Sequence, residues 1–243
     1  MKVALMQPYF FPYIGYFQLI AAVDEFIIFD QAQFVRRSWM TRNRIGNEQK
    51  ESLYVHVPVR KAPVKTKINE IQINNDTNWQ DQVIRQLGYY KKAPYYEEVL
   101  SFIKQCFIKQ ESSLSKFNTS IIKQLCERLE IATKITVLSE RFPDLHQAEA
   151  ADEWGINVAK ALGANTYNNA LGGSAFYSEK KYNEHGLAIY FIRPNLPPYR
   201  QLTPHFTPGL SIIDVMMFND IQTVKEMVKA YELVQKEAIS NII

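Results

Sequence analysis

The chain has 243 residues, of which 47% are hydrophobic and 22% charged, and this composition excludes a largely disordered protein. Its formal net charge of +3 gives no support for nucleic acid as the partner. The two cysteines and four histidines lack metal-ligand spacing, so no metal site is predicted. Because no apolar run reaches the length of a membrane span and no cleavable signal is visible, we expect no membrane span and a cytoplasmic location.

The first residues form a strand–loop–helix pattern. The apolar run 3–6 predicts a buried strand, which ends before Pro8 because proline has no N–H to donate. From Tyr13 onward the apolar residues recur at helical spacing, and residues 25–29 form a second apolar run. This order predicts a parallel βαβ unit, and open α/β sheets bind anions and nucleotides where such a helix begins.

The loop of this unit is rich in tyrosine. A phenol offers an apolar face and a hydroxyl that donates or accepts, and a glycine permits the close approach of a ligand. We predict that the loop binds substrate through Gln7, Tyr9, Tyr13, Gly15 and Tyr16. Tyr13 is also a candidate catalytic group. Packing of these rings into a core under the loop is the alternative.

The segment 31–46 is predicted to be a loop or an irregular hairpin that follows the second strand. Guanidinium groups bind phosphate or carboxylate with two hydrogen bonds, and an indole stacks on a base or sugar. We therefore predict phosphate or diphosphate binding across from the first loop, by Arg36, Arg37, Trp39, Arg42 and Asn43. A solvated basic loop is the alternative.

The remaining elements alternate between strands and helices. Strands are predicted at 52–59, 68–73, 135–138, 165–169 and 187–192, and helices at 79–87, 97–109, 112–129, 148–162 and 221–236. This order favours a single α/β domain over residues 1–243 with a mostly parallel sheet. The stretch at about 89–129 is predicted to be a helical insertion.

Two later stretches complete the predicted substrate site. Gly172 and Gly173 follow a short strand, where their backbone N–H groups could face an anion, although a tight turn explains the pair equally well. Tyr199 and Gln201 lie in a proline-rich extended segment that we expect to cover the cleft.

No nucleophile–histidine pair can be assigned from the order of the residues. The carboxylates to test as bases are Asp24, Asp30 and Asp214, of which the last two are predicted to be catalytic. Each could instead cap a helix or lie in a loop.

In the opening stretch Gln7-Pro-Tyr-Phe-Phe-Pro-Tyr-Ile-Gly-Tyr-Phe17, the chain resembles the WbqC-like family. The resemblance continues over most of the chain, through Arg36-Arg37, Trp39, Arg42-Asn43, the Gly172-Gly173 turn, Tyr199-x-Gln201 and 208–214. It implies a place in the assembly of bacterial O-antigen and other polysaccharides. For that family a glycine (aminoacyl) transferase acting on an amino sugar has been suggested.

Residues 11–16 also look like the His-x-Gly-His loop of nucleotidyltransferases, pantothenate synthetase and class I aminoacyl-tRNA synthetases. This resemblance implies a Rossmann-like sheet of the nucleotidyltransferase (HUP) type. Both histidine positions are tyrosines here, Tyr13 and Tyr16. A phenol cannot carry the positive charge of histidine near neutral pH, and this difference argues against nucleotidyl transfer.

The leading hypothesis is a transferase that moves an acyl or aminoacyl group to the amine of a nucleotide-linked amino sugar. The partner is then a nucleotide sugar or another phosphorylated small molecule. An ATP-dependent ligase or nucleotidyltransferase, which would need ATP with Mg²⁺ as cofactor, and a non-catalytic nucleotide-sugar binding protein are the alternatives. A homodimer is compatible with the sequence, which does not fix the oligomeric state.

Overall fold

The computed structural model describes residues 1–48, 52–145 and 148–236. Its strands are β1 Lys2–Met6, β2 Glu25–Ile28, β3 Arg42–Ile45, β4 Leu53–His56, β5 Lys134–Val137, β6 Thr166–Ala170, β7 Ala188–Pro194 and β8 Tyr231–Val234. Its α-helices are α1 Ile14–Ala21, α2 Trp79–Gln86, α3 Tyr96–Ile108, α4 Leu114–Arg128, α5 Leu138–Arg141, α6 Glu153–Ala161, α7 Glu179–Glu184, α8 Ile212–Phe218 and α9 Ile221–Lys229. Short 3₁₀ helices occupy Ile68–Glu70, Leu87–Lys92 and Leu171–Phe176.

Six strands form the central sheet, in the order β5-β2-β1-β6-β7-β8. All neighbours in this sheet are parallel except β7 and β8, which are antiparallel. The predicted α/β class with a mostly parallel sheet is therefore confirmed. From β1 the chain first builds the sheet toward β2 and β5 and then returns to the other side of β1 with β6. The boundary between β1 and β6 is thus a topological switch point, where open α/β sheets bind their ligands.

The central strands are apolar because helices cover both faces of the sheet. On β1, Val3 and Leu5 pack into one apolar cluster with Ile156 of α6, while Ala4 faces a larger cluster that includes Phe17 of α1. Burying a valine or leucine side chain stabilises a fold by about 1.5–3 kcal/mol. Because its alternate side chains are buried on opposite faces, β1 is anchored between the two helical layers, and this anchoring determines where its carboxyl end lies.

The sequence pattern predicts a strand at residues 68–73, but the structure has none there. The segment begins instead with the 3₁₀ helix Ile68–Glu70. The buried side chains Ile68 and Ile71 are three residues apart, which suits the three-residue turn of a 3₁₀ helix. Beyond it, Ile73 donates from its backbone N–H to the Ser112 carbonyl at 2.7 Å and forms an isolated antiparallel bridge with Val59 that does not extend into a strand. The apolar alternation reflects burial against the helices, so the strand prediction is wrong here.

The predicted C-terminal helix 221–236 is too long, and 187–192 is not the last strand. The helix α9 ends at Lys229, and the chain then pairs as β8 along the edge of the sheet. The buried amide of Gln18 donates to the carbonyls of Met227 and Ala230, at 2.8 and 2.9 Å. These long-range hydrogen bonds satisfy the end of the helix, and no local sequence signal reports them.

The helical stretch between β4 and β5 shares its core with the sheet layer that carries α1. Asn118 of α4 is fully buried and donates to the backbone carbonyls of Pro8 and Met40, at 2.9 and 2.8 Å. These bonds tie α4 to the first loop. Within the described ranges, no helix combines the length and apolar character needed to cross a bilayer.

Candidate functional site

A cavity of about 730 Å³ opens at the switch point between β1 and β6. Its floor comes from the ends of these two strands, with Met6 and Gln7 on one side and Asn169 and Ala170 on the other. We call it the switch-point cavity. Nine of the predicted substrate-binding residues line it: Gln7, Tyr9, Tyr13, Gly15, Tyr16, Trp39, Asn43, Gly172 and Gly173.

The first loop is held rigidly against its neighbours. The side-chain amide of Asn43 donates to the carbonyls of Phe10 and Phe11, at 3.1 and 2.9 Å, and the Ser211 hydroxyl donates to Phe11 at 2.7 Å. Phe11 has φ of +39°, a left-handed conformation that costs a non-glycine residue free energy. The three hydrogen bonds hold that strained turn, so Asn43 positions the loop in addition to lining the cavity.

The phenols of the cavity are neutral hydrogen-bonding groups. Burial, followed by the nearby phenols of Tyr13 and Tyr177, raises the pKa of Tyr9, and burial also raises the pKa of Tyr13 and Tyr177. Tyr16 donates to the Gln7 carbonyl at 2.8 Å, and burial raises its pKa well above the ordinary value. Tyr16 is thus committed to the loop, whereas Tyr9, Tyr13 and Tyr177 remain protonated around the cavity.

The ring of Tyr13 folds back over Gly15 at the start of α1. A Cβ at position 15 would lie 2.4–2.5 Å from the outer ring atoms of Tyr13 and its hydroxyl. The absent side chain of Gly15 therefore sets where the Tyr13 hydroxyl lies.

Arg44, on β3, is the single charged residue among the described residues that line the switch-point cavity. It donates weakly to the carbonyls of Pro208 and Gly209, at 3.4 and 3.3 Å, and its Nε has no hydrogen-bond partner among the described residues. Arg44 belongs to the basic segment 31–46 but is not among the residues predicted to bind a ligand. The alternation of half-buried and buried residues along β3 would have been the signal, had the segment been predicted as a strand.

The rim of the cavity carries exposed aromatic and glycine surface. Trp39 is 41% exposed and Phe176 is 75% exposed, so both can stack on a planar or sugar ring. Gly172 has no described atom within 4 Å of the position where its Cβ would lie. No packing constraint within the described residues thus requires glycine there, and the backbone is open to a ligand.

The structure separates Arg36, Arg37 and Arg42 from this cavity. They line a neighbouring cavity of about 410 Å³, which we call the basic cavity. Trp39 of the first cavity and Tyr54 of the second lie side by side with ring centroids 6.4 Å apart. The two cavities therefore adjoin across an aromatic pair.

Asp214 lies at the start of α8 in a closed hydrogen-bond network. Its carboxylate accepts from Tyr90 at 2.7 Å, from Tyr199 at 2.6 Å and from Gln201 at 2.9 Å, and the residue is 1% exposed. Burial raises the pKa of Asp214, while these three hydrogen bonds act in the opposite direction. Asp214, Tyr199 and Gln201 line no part of the switch-point cavity. Together they fix the segment 199–207, since Gln201 also exchanges two hydrogen bonds with Thr207.

The other two predicted bases also lie outside the switch-point cavity. Asp30, at the end of β2, accepts from the backbone N–H of Ser139 at 3.1 Å and from the Ser139 hydroxyl. Burial raises the pKa of Asp30, and the Ser139 hydrogen bonds oppose that shift. Asp24 is exposed and accepts from the backbone N–H of Lys2. Asp30 thus ties the end of β2 to α5, and Asp24 ties the end of the first connection to the start of β1.

Comparison with known proteins identifies the family of the chain. The model of the WbqC-like protein family matches residues 7–226. An uncharacterized protein of Mycobacterium tuberculosis is 31% identical over 222 residues, which cover 90% of this chain and 93% of that protein. No solved structure matches, so the similarity to the His-x-Gly-His superfamily stays a prediction. The family model spans the first loop, the basic segment, the Gly172-Gly173 turn and α8, and the chain therefore belongs to the WbqC-like protein family.

Proposed function

We propose that the protein binds a nucleotide-linked amino sugar in the switch-point cavity and transfers an acyl or aminoacyl group to its amine. The observation that carries the proposal is the place of the cavity, at the carboxyl ends of β1 and β6 where the strand order reverses. Family membership supports a role in surface-polysaccharide assembly.

The charges of the cavity suit an amine as the nucleophile. No carboxylate belongs to the described lining, and Arg44 supplies one positive charge. Burial and a nearby cation both disfavour an ammonium ion, so a bound amine loses its proton more readily than in water. The free amine can then attack an acyl carbonyl: the N–C bond forms, the donor's leaving group departs with its electron pair, and the amine proton passes to that group or to solvent.

The phenols suit the oxygen that becomes negative in this reaction. Protonated donors fixed near a developing oxyanion stabilise the tetrahedral intermediate. Tyr9, Tyr13 and Tyr177 are the neutral donors that face the cavity, while Trp39 and Phe176 offer stacking surface at its rim. In the proposal, Asp30 and Asp214 support the surrounding structure, and Arg44 contacts the ligand's phosphates or acyl oxygen.

Calorimetry with UDP-glucosamine and a dTDP-linked 4-amino sugar tests the binding step. We expect one site per chain, and we expect Gly172→Ala to weaken binding without loss of thermal stability, because the added methyl group faces only the open cavity. Binding of neither sugar nucleotide, or unchanged affinity in the variant, would count against the proposal.

A turnover experiment separates the transferase from a non-catalytic binding protein. The described lining of the cavity has no histidine or carboxylate, which favours the binding protein as the second candidate. Mass spectrometry should detect an amide on the sugar nucleotide after incubation with acyl-thioester or aminoacyl-thioester donors. The N-acetylated sugar nucleotide serves as the control, because its amine is blocked. Tight binding with no product from any donor would support the second candidate.

A further inference from the structure

The basic cavity concentrates positive charge to a degree that the switch-point cavity does not. Its lining includes four arginines, one lysine and one histidine, and none of its described residues is acidic: Arg36, Arg37, Arg42, His56, Arg60 and Lys61. Like charges that share one cavity repel each other unless an anion binds among them.

The charged groups come from two sides of this cavity. Arg36, Arg37 and Arg42 come from the segment that leads into β3, and Arg60 and Lys61 follow β4. Backbone and side-chain hydrogen bonds hold the two segments together, from Phe34 to Thr66 at 2.9 Å and from Gln33 to Val64 at 2.8 Å. These hydrogen bonds fix the two walls relative to each other.

Within the part of the chain that the structure describes, protein partners satisfy few of these cations. Arg60 pairs with Asp76 at 3.1 Å, and Arg36 makes a long hydrogen bond of 3.3 Å to the Ala62 carbonyl. The Arg42 guanidinium lies 4.2 Å from the centre of the Tyr54 ring, and its Nε is buried without a partner among the described residues. This stacking orients the guanidinium plane and leaves its donors available for a bidentate contact.

We propose that the basic cavity is a second binding site, for a diphosphate group. Two linked phosphates match the number of cations better than a single carboxylate does, and arginine is the residue that binds phosphate oxygens in pairs. The proposal depends on this cavity alone and not on the reaction proposed for the switch-point cavity.

Inorganic pyrophosphate is the probe, titrated calorimetrically into the full chain without divalent cations. We expect one site, weakened by added salt, and about tenfold weaker binding in the double variant Arg36→Gln/Arg37→Gln. Both side chains are exposed, so the variant should keep the thermal stability of the wild type. Lys61→Gln gives an independent second variant with the same expected direction.

The matched control is Arg85→Gln, which removes an exposed arginine on α2 outside the basic cavity. It should leave pyrophosphate binding unchanged, as should Gly172→Ala in the switch-point cavity. Equal losses in Arg85→Gln and the double variant, or unchanged binding in the double variant and in Lys61→Gln, would overturn the proposal.

Competition identifies the source of the diphosphate. Val35 and Val64 are 57% and 80% exposed on the two paired segments, so a lipid-borne diphosphate is tested beside a soluble one. Displacement of pyrophosphate by UDP assigns a nucleotide, and displacement by vesicles that carry a polyprenyl diphosphate assigns a lipid; either result supports the site. Displacement by oligo(dT) alone would overturn it, because a phosphodiester strand would then be the ligand.

Discussion

The ring of Tyr13 occupies the space that a side chain at position 15 would need. Gly15→Ala adds a methyl group 2.4–2.5 Å from that ring, so the ring must move from its present position. We expect weaker binding of the sugar nucleotide, with little change in the free energy of unfolding, because alanine is the better helix former. Calorimetry and urea unfolding measure the two effects.

Tyr13→Phe is the matched variant for this prediction. It keeps the ring and removes the hydroxyl, so a similar loss of affinity in both variants would locate the effect at that hydroxyl. Unchanged affinity in Gly15→Ala would show that the position of the ring has no part in binding.

The buried carboxylate of Asp214 accepts three hydrogen bonds, and its amide analogue cannot accept them all. Asp214→Asn turns an NH₂ group toward Tyr90 or toward Tyr199 and Gln201. We expect a loss of about 1–3 kcal/mol in the free energy of unfolding, measured in urea. Protease cleavage within 199–207 should also become faster. An unchanged urea midpoint would mean that the carboxylate's charge is not needed in this network.

Between elements, Lys181 of α7 pairs with Glu153 of α6 at 2.8 Å and with Asp152, the residue before that helix, at 3.0 Å. Glu153 accepts from the backbone N–H groups of Glu149 and Ala150 and from Lys181. The Lys181 hydrogen bond, together with the two backbone hydrogen bonds, lowers the pKa of Glu153 to about 2. A carboxylate whose folded pKa lies below its unfolded value stabilises the fold above the unfolded pKa, near 4.3, and the contribution disappears as pH falls toward 2.

Glu153→Gln should therefore lower the urea midpoint at about pH 6, and its difference from the wild type should shrink by about pH 3. The control Glu184→Gln removes an exposed acid of α7 that lies 3.9 Å from Lys180. It should show little difference at either pH. A gap between Glu153→Gln and the wild type that stays constant with pH would contradict the assignment.

The elements that the sequence predicted well are those whose burial pattern is local. The strands β1 and β2 and the helices α3 and α4 follow from apolar spacing. The segment 68–73 and the end of α9 could not be predicted, because contacts far away in the chain decide them. The Gln18 amide that ends α9 lies about two hundred residues before it.

Across the whole molecule, Asn118 couples the helices between β4 and β5 to the candidate site. Asn118→Ala leaves the carbonyls of Pro8 and Met40 buried without their donor. We expect a loss of about 2–4 kcal/mol in stability and weaker binding in the switch-point cavity, because the first loop is released. The exposed Asn183→Ala is the control, expected within about 0.5 kcal/mol of the wild type. Equal urea midpoints for the two variants would refute the coupling.

The composition of the candidate site was predictable in part, and its arrangement was not. The order of strand, loop and helix indicated the cavity beside Gln7 and Tyr13, because strand ends of a parallel sheet meet at one edge. The basic segment follows the neighbouring strand, as predicted. Its backbone turns at Arg37, which has φ of +56°, and the side chains of Arg36, Arg37 and Arg42 line the basic cavity instead of the switch-point cavity. The direction of a loop side chain depends on such turns, which residue types alone do not specify.

The floor of the switch-point cavity joins Gln7 to Asn169, residues separated by most of the chain. Neither half of the polypeptide, produced alone, would contain the complete switch-point cavity, however well it folded. During synthesis the recognition surface becomes whole only once β6 has docked beside β1. Ligand capture by co-expressed halves would thus be a direct assay of their reassembly.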